Sequence, residues 1–127
     1  TFILRTDACN KGIGAVLLQE SEVLHPVMYI SRKLLDREQR YSTIEKECLA
    51  IVWAINKLSR YLWGTEFTLQ TDHKPLSFLN SGRYQNSRLI RWSLSLQQYK
   101  FSIEPVSGRD NVLADALSRV VEDQEIP

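Results

Sequence analysis

The sequence predicts an α/β domain: a five-stranded mixed sheet, three antiparallel strands followed by parallel crossovers, flanked by helices. Three observations carry this expectation. Three short strand-like runs follow one another before Ser31, joined by short loops. A long apolar pattern of helical period then occupies Thr43 to Trp63. Beyond it, strand-like and helical segments alternate, and a strand–helix–strand succession requires a parallel crossover.

Phe2 to Asp7 is an apolar run of strand type, and the tight Asn10-Lys11-Gly12 turn leads into a second strand, Gly12 to Gln19. Val23 to Ile30 is the third, and Pro26, which lacks a donor, predicts an irregular or edge position for it. Thr43 to Trp63 is one helix closed by Gly64. Phe67 to Asp72 is the fourth strand, Pro75 to Asn80 a short helix, Asn86 to Tyr99 a longer one, Lys100 to Val106 the fifth strand and Val112 to Val121 the last helix. Residues 1–121 therefore form one domain, with 122–127 a frayed acidic tail or the start of a linker.

At 127 residues such a domain buries about two thirds of the surface its unfolded chain would expose. Its 43% hydrophobic and 24% charged content is that of a globular protein. No apolar stretch approaches the roughly 20 residues of a membrane span, and no signal-peptide pattern is present. The opening without Met, directly in a strand, suggests a domain of a longer polypeptide. Cys9 and Cys48 are too few and too scattered for a disulfide framework or a zinc site, which points to a reducing compartment. A net charge of +1 argues against a strong free-standing nucleic-acid binder. Charge is uneven, however: Arg83, Arg88, Arg91, Lys100 and Arg109 face only Glu104 between Asn80 and Arg109. One basic face, binding weakly unless the domain is tethered, follows.

Four acids occupy informative settings. Asp7 and Asp72 each follow an apolar strand and a Thr, at strand ends where α/β sheets bind ligands. Each alone would read as a turn or capping residue; their matched Thr-Asp context weighs against coincidence. The long helix offers Glu45 and Glu47 beside an apolar stripe of Ile44, Cys48, Ile51, Ile55, Leu58 and Leu62. At about 100° per residue, Glu47 lies roughly 60° from the stripe centre and Glu45 roughly 100° away on the other side. Glu47 thus stands at the margin of the buried face, although both acids on a solvated face remain an alternative. Trp53 and Leu49 lie opposite the stripe, so Leu89, Trp92 and Leu96 of the next long helix are expected to cover them. Asp115 falls opposite the stripe of Leu113, Ala116, Leu117 and Val120, and periodicity alone leaves it solvated. Carboxylates gathered at one sheet edge suit hard cations such as Mg²⁺ or Mn²⁺. No Ser-His-Asp pattern or phosphate-binding glycine loop competes with that reading.

Thr6-Asp7-Ala8, Gly12 through Leu17, Tyr29 through Leu34, Tyr41 through Glu47, Phe67 through Pro75 and Asn111 through Arg119, in this order and spacing, resemble the ribonuclease H domain of reverse transcriptases from gypsy-type LTR retrotransposons. The resemblance covers essentially the whole chain. It implies a ribonuclease H-like fold, with catalytic and metal-binding acids at Asp7, Glu47, Asp72 and Asp115. It favours Glu47 over Glu45 and promotes Asp115. It further implies cleavage of the RNA strand of an RNA–DNA hybrid with two Mg²⁺ ions, for which Mn²⁺ can substitute. The expected products are a 5′-phosphate and a 3′-hydroxyl, with hybrid recognition through 2′-hydroxyls and groove shape. Asn10, His73 and Asn111, with Arg88 and Arg109 from the basic stretch, are candidate substrate or supporting contacts. The implied partners are the hybrid and an upstream polymerase domain, with no membrane; the implied location is a cytoplasmic virus-like particle or the nucleus, not the secretory route.

Cellular and retroviral relatives carry a loop histidine before the last acid; the corresponding position here is Pro105. Gypsy-type members commonly lack it. The basic extra segment of some cellular relatives is also missing. An alternative is a catalytically weak or silent structural or nucleic-acid-binding module of the same fold, in a reverse transcriptase or a host-adopted retroelement gene, and the retention of all four acids weighs against it.

Overall fold

The computed structural model describes residues 1–71 and 87–105. Their elements are β1 (Phe2–Ala8), β2 (Gly12–Glu20), β3 (Leu24–Lys33), α1 (Asp36–Gln39), α2 (Thr43–Lys57), α3 (Ser59–Leu62), β4 (Glu66–Thr71), α4 (Ser87–Leu96) and β5 (Lys100–Pro105). The expected helices Pro75–Asn80 and Val112–Val121 and the tail 122–127 lie outside the described residues.

The five strands form one sheet in the order β3-β2-β1-β4-β5. β1–β2 and β2–β3 are antiparallel, whereas β1–β4 and β4–β5 are parallel, as the succession of segments predicts. β3 lies at the sheet edge and continues past Ile30 to Lys33. Its register against β2 slips between Leu17, paired with Met28, and Leu18, paired with Pro26. Val27 is the extra residue of that bulge, and the donor-less Pro26 sits where an irregular edge tolerates it.

Strand alternation divides the sheet into two faces. On one, Leu4, Leu17 and Leu69 pack under Cys48, Ile51 and Ile55 of α2, and Leu89 and Leu96 of α4 close the same cluster. On the other, Ile3, Val16 and Leu18 form a separate cluster. Trp53 and Trp92 pack together against Leu49 and Ala50, so α4 covers the back of α2 as expected.

Ser42 starts α2. Its hydroxyl accepts from the Glu45 amide at 3.2 Å, and the Glu45 carboxylate accepts from the Ser42 amide at 3.0 Å, a reciprocal cap that satisfies two otherwise orphaned donors. The predicted helix to Trp63 is broken at Leu58, whose backbone (φ −103°, ψ 19°) leaves the helical region before α3 resumes. Gly64 ends the run with φ at 78°, a conformation that costs any residue with a Cβ. Of the predicted apolar stripe, Ile44 alone departs: it is 44% exposed. Ala8, at the end of β1, packs against the cluster holding Leu49 and Ala50, so the first turn of α2 overhangs the strand ends and its outward residues meet water.

The short helix α1 has no counterpart in the sequence expectation. It exists around Glu38, a buried acid. Arg32 donates to both Glu38 oxygens, at 2.7 and 3.1 Å, and the Leu35 amide donates to one of them at 2.7 Å. The Arg32 guanidinium also lies over the Trp53 ring. Burial alone would push the Glu38 carboxyl up, but the Arg32 and Leu35 hydrogen bonds and the charges of Arg32 and Arg37 outweigh it and hold the group below its usual 4.5. A carboxylate with a lowered folded pKa contributes stability above its unfolded value, and that stability is lost as pH falls through the folded value. Replacing Glu38 with Gln is therefore expected to cost about 2–3 kcal/mol near neutrality and to flatten the decline of the melting temperature as pH falls below 4.5. Thermal melts across that range check this; parallel curves for the two proteins would contradict it.

Candidate active site

Asp7 is the next-to-last residue of β1 and is 4% exposed. Its cross-strand partner is Gly14. Directly paired side chains stand about 5 Å apart, so a glycine there leaves the space beside the carboxylate unfilled from β2. Thr6, which precedes Asp7, and Thr71, the last residue of β4, are both buried. Thr6 lies near the end of β1 and Thr71 closes β4, its parallel neighbour.

Glu47 lies in the second turn of α2 and is 2% exposed. Glu45 serves a different purpose. It completes the Ser42 cap and forms an ion pair with Arg88 of α4. Burial opposes ionisation of Glu45, but the Ser42 hydrogen bonds and then Arg88 hold its carboxyl below the usual range. Lys46, between the two acids, donates to the Asn10 carbonyl oxygen at 3.3 Å. This contact ties the start of α2 to the turn that follows β1. Asp7, Asn10 and Glu47 are thus carried at one end of the β1–α2 contact. Arg88 is spent on Glu45 and on the Tyr41 ring, 4.0 Å from its centroid.

Local charge is negative at this end. The Cys48 thiol, adjacent to Glu47, is pushed up to about 12 by burial first, then by the charges of Glu47 and Glu45. Cys48 is therefore a packing residue and neither nucleophile nor thiolate ligand. With Cys48 kept as a thiol, the donors that Asp7 and Glu47 offer are carboxylate oxygens, which fit Mg²⁺ or Mn²⁺ better than zinc. Among the described residues no group of three or more candidate ligands occurs. Asp72, His73, Arg109, Asn111 and Asp115 lie outside them. A cavity of about 520 Å³ sits at the opposite ends of β4 and β5, lined by Glu66, Phe67, Lys100 and Phe101 among others, far along the strands from Asp7.

Sequence reasoning missed one part-buried contact near Asp7. The Arg5 Nε donates to the Gln70 Oε1 at 2.6 Å, across the β1–β4 pair. Its only sequence signal is a cation interrupting an apolar strand.

Residues 1–99 match the family described as the RNase H-like domain found in reverse transcriptase. The Pol polyprotein of transposon 297 from Drosophila melanogaster is 46% identical over 119 residues, covering 94% of this chain and 11% of the polyprotein. That of transposon gypsy from the same organism is 45% identical over 119 residues, covering 93% and 11%. The chain thus spans about a tenth of the length of these relatives. Among solved structures, RNase H1 from the archaeon Halobacterium salinarum superposes with a TM-score of 0.74 at 20% identity, covering 96% of this chain and 98% of that one. The foamy viral protease-reverse transcriptase in complex with an RNA/DNA hybrid gives 0.67 at 14% identity, covering 83% and 15%. The RNase H fold and the sequence relatives agree: this chain belongs to the RNase H-like domains of reverse transcriptases, of the kind found in gypsy-type retrotransposon Pol polyproteins.

Proposed function

We propose that this domain is a metal-dependent endonuclease that hydrolyses the RNA strand of RNA–DNA hybrids. The observation that carries the reading is the pair of nearly buried acids, Asp7 and Glu47, held at the end of β1 by the Lys46–Asn10 tie. Carboxylates withdrawn from water need hydrogen bonds, an ion pair or a coordinated metal, and two of them at one end of the β1–α2 contact suit a hard divalent cation. Asp72 and Asp115 complete the proposed ligand set. The 65-residue separation that pairs Arg5 with Gln70 across β1 and β4 is also the separation of Asp7 from Asp72, which supports that assignment. Divalent ions held there would activate a water and offset the charge that develops on the scissile phosphate.

The chain's own residues do the rest. Asp7 and Glu47 provide fixed negative charge, and the capped first turn of α2 keeps Glu47 in place. The β1–β2 turn presents Asn10, which is exposed, toward substrate. Hybrid recognition is assigned to Asn10, His73, Asn111 and Arg109. Arg88 supports the helix that carries Glu47 and is a weaker candidate for direct contact, because its guanidinium is already engaged. In the longer polyprotein an attached polymerase would supply the affinity that a net charge of +1 does not.

Strand-specific cleavage tests this. With a 5′-labelled RNA–DNA hybrid in Mg²⁺ or Mn²⁺, the RNA strand alone is expected to be cut, duplex DNA and duplex RNA to survive, and Asp72→Asn to abolish the cut. Cleavage of duplex DNA, or survival of the hybrid even with the polymerase attached, would overturn the proposal.

A further inference from the structure

Arg5 is an odd residue for its place. It stands in the middle of β1, in a strand otherwise apolar up to Thr6, and its register partner on β4 is Gln70. Gln70 is buried, and the two side chains are joined at 2.6 Å. Strand alternation puts Arg5 on the same sheet face as Asp7, with Cα atoms about 7 Å apart at the usual rise per residue. The bridge therefore crosses the two central parallel strands one pleat behind Asp7. β1 and β4 are in register from Phe2 and Phe67 to Arg5 and Gln70, and towards the strand ends pairing is less constrained. A short, part-buried side-chain bond to a planar guanidinium restrains their separation and twist more tightly than an apolar contact does.

We infer that Arg5 and Gln70 form a positioning clamp that sets the geometry of the β1 and β4 ends for divalent-cation binding. Neither residue touches the cation; they act through the placement of Asp7. This rests on the metal-dependent reading above. Supporting residues of this kind typically govern metal affinity by about tenfold or more when lost.

The test is the Mg²⁺ dependence of the melting temperature of the 127-residue chain, with no substrate present. Gln70→Leu removes the acceptor and keeps the charge of Arg5. Arg5→Lys keeps the charge and loses the Nε donor. Both are expected to raise the Mg²⁺ midpoint about tenfold. Ile3→Val, on the same strand and face, is the packing control: it lowers the metal-free melting temperature and leaves the midpoint where it was. If Gln70→Leu and Arg5→Lys lower the metal-free melting temperature but share the wild-type midpoint, the bridge is a packing contact only and the clamp is overturned. If Arg5→Lys is silent while Gln70→Leu shifts the midpoint, the Nε bond is not the device and the inference falls. A wild-type chain with no Mg²⁺ response overturns the metal reading and the clamp with it, a result distinct from an unshifted but present midpoint.

Discussion

Glu47→Gln is expected to reduce hybrid cleavage by on the order of 10³-fold or more, as befits one member of a group acting as a unit, whereas Glu45→Gln leaves it within about threefold. The two acids are two residues apart on one helix, yet the fold gives them opposite tasks. Glu45 closes the helix cap and pairs with Arg88. Glutamine can still complete the cap, so its substitution costs only the ion pair, about 0.5–1 kcal/mol for a pair of this exposure. Glu47 is buried, so neutralisation relieves the cost of a charge held out of water. Glu47→Gln should therefore melt no lower than the wild type without metal, and should lose the extra stability that Mg²⁺ confers on it. The same comparison made by melting temperature separates the roles independently of activity. A Glu47→Gln protein that retains cleavage while Glu45→Gln loses it would reverse the assignment.

The second large effect concerns the core that holds α2 over the sheet. Ile51→Ala is expected to cost about 3–5 kcal/mol, because Ile51 is fully buried at the centre of the helix-on-sheet cluster and the cavity cannot collapse between two packed layers. Ile44→Ala, in the same predicted stripe, should change stability by no more than about 0.5 kcal/mol, since Ile44 overhangs the strand ends. Urea unfolding of both variants measures the difference directly. Equal costs would mean that α2 packs along its whole length and that its first turn is not free to project over the strand ends.

That contrast shows what was legible in the residues and what was not. Period-2 and period-3.6 patterns report which face of an element is apolar, and they identified β1, β2, α2 and β4 and placed Glu47 at the stripe margin. Pro26 announced an edge strand because a missing donor is a local property. The pattern could not report where along α2 the sheet ends, so Ile44 was expected inside. It carried no trace of α1, four residues nucleated by Glu38 on an arginine from β3. Nor could it pair Arg5 with Gln70, 65 residues away. Contacts between elements follow from topology, which no local period encodes. The acids divide the same way. Burial, which no local period reports, sets Asp7 and Glu47 apart from exposed turn or helix-face acids, while Asp72 rests on resemblance and on its spacing from Asp7, and Asp115 on resemblance alone.

Crystals of the domain soaked in Mn²⁺ test the central claim most directly, by the anomalous signal of the ion. The account predicts anomalous density bonded to carboxylate oxygens of both Asp7 and Glu47, lost in Asp7→Asn. Ordered Mn²⁺ elsewhere with these two carboxylates unligated would contradict it.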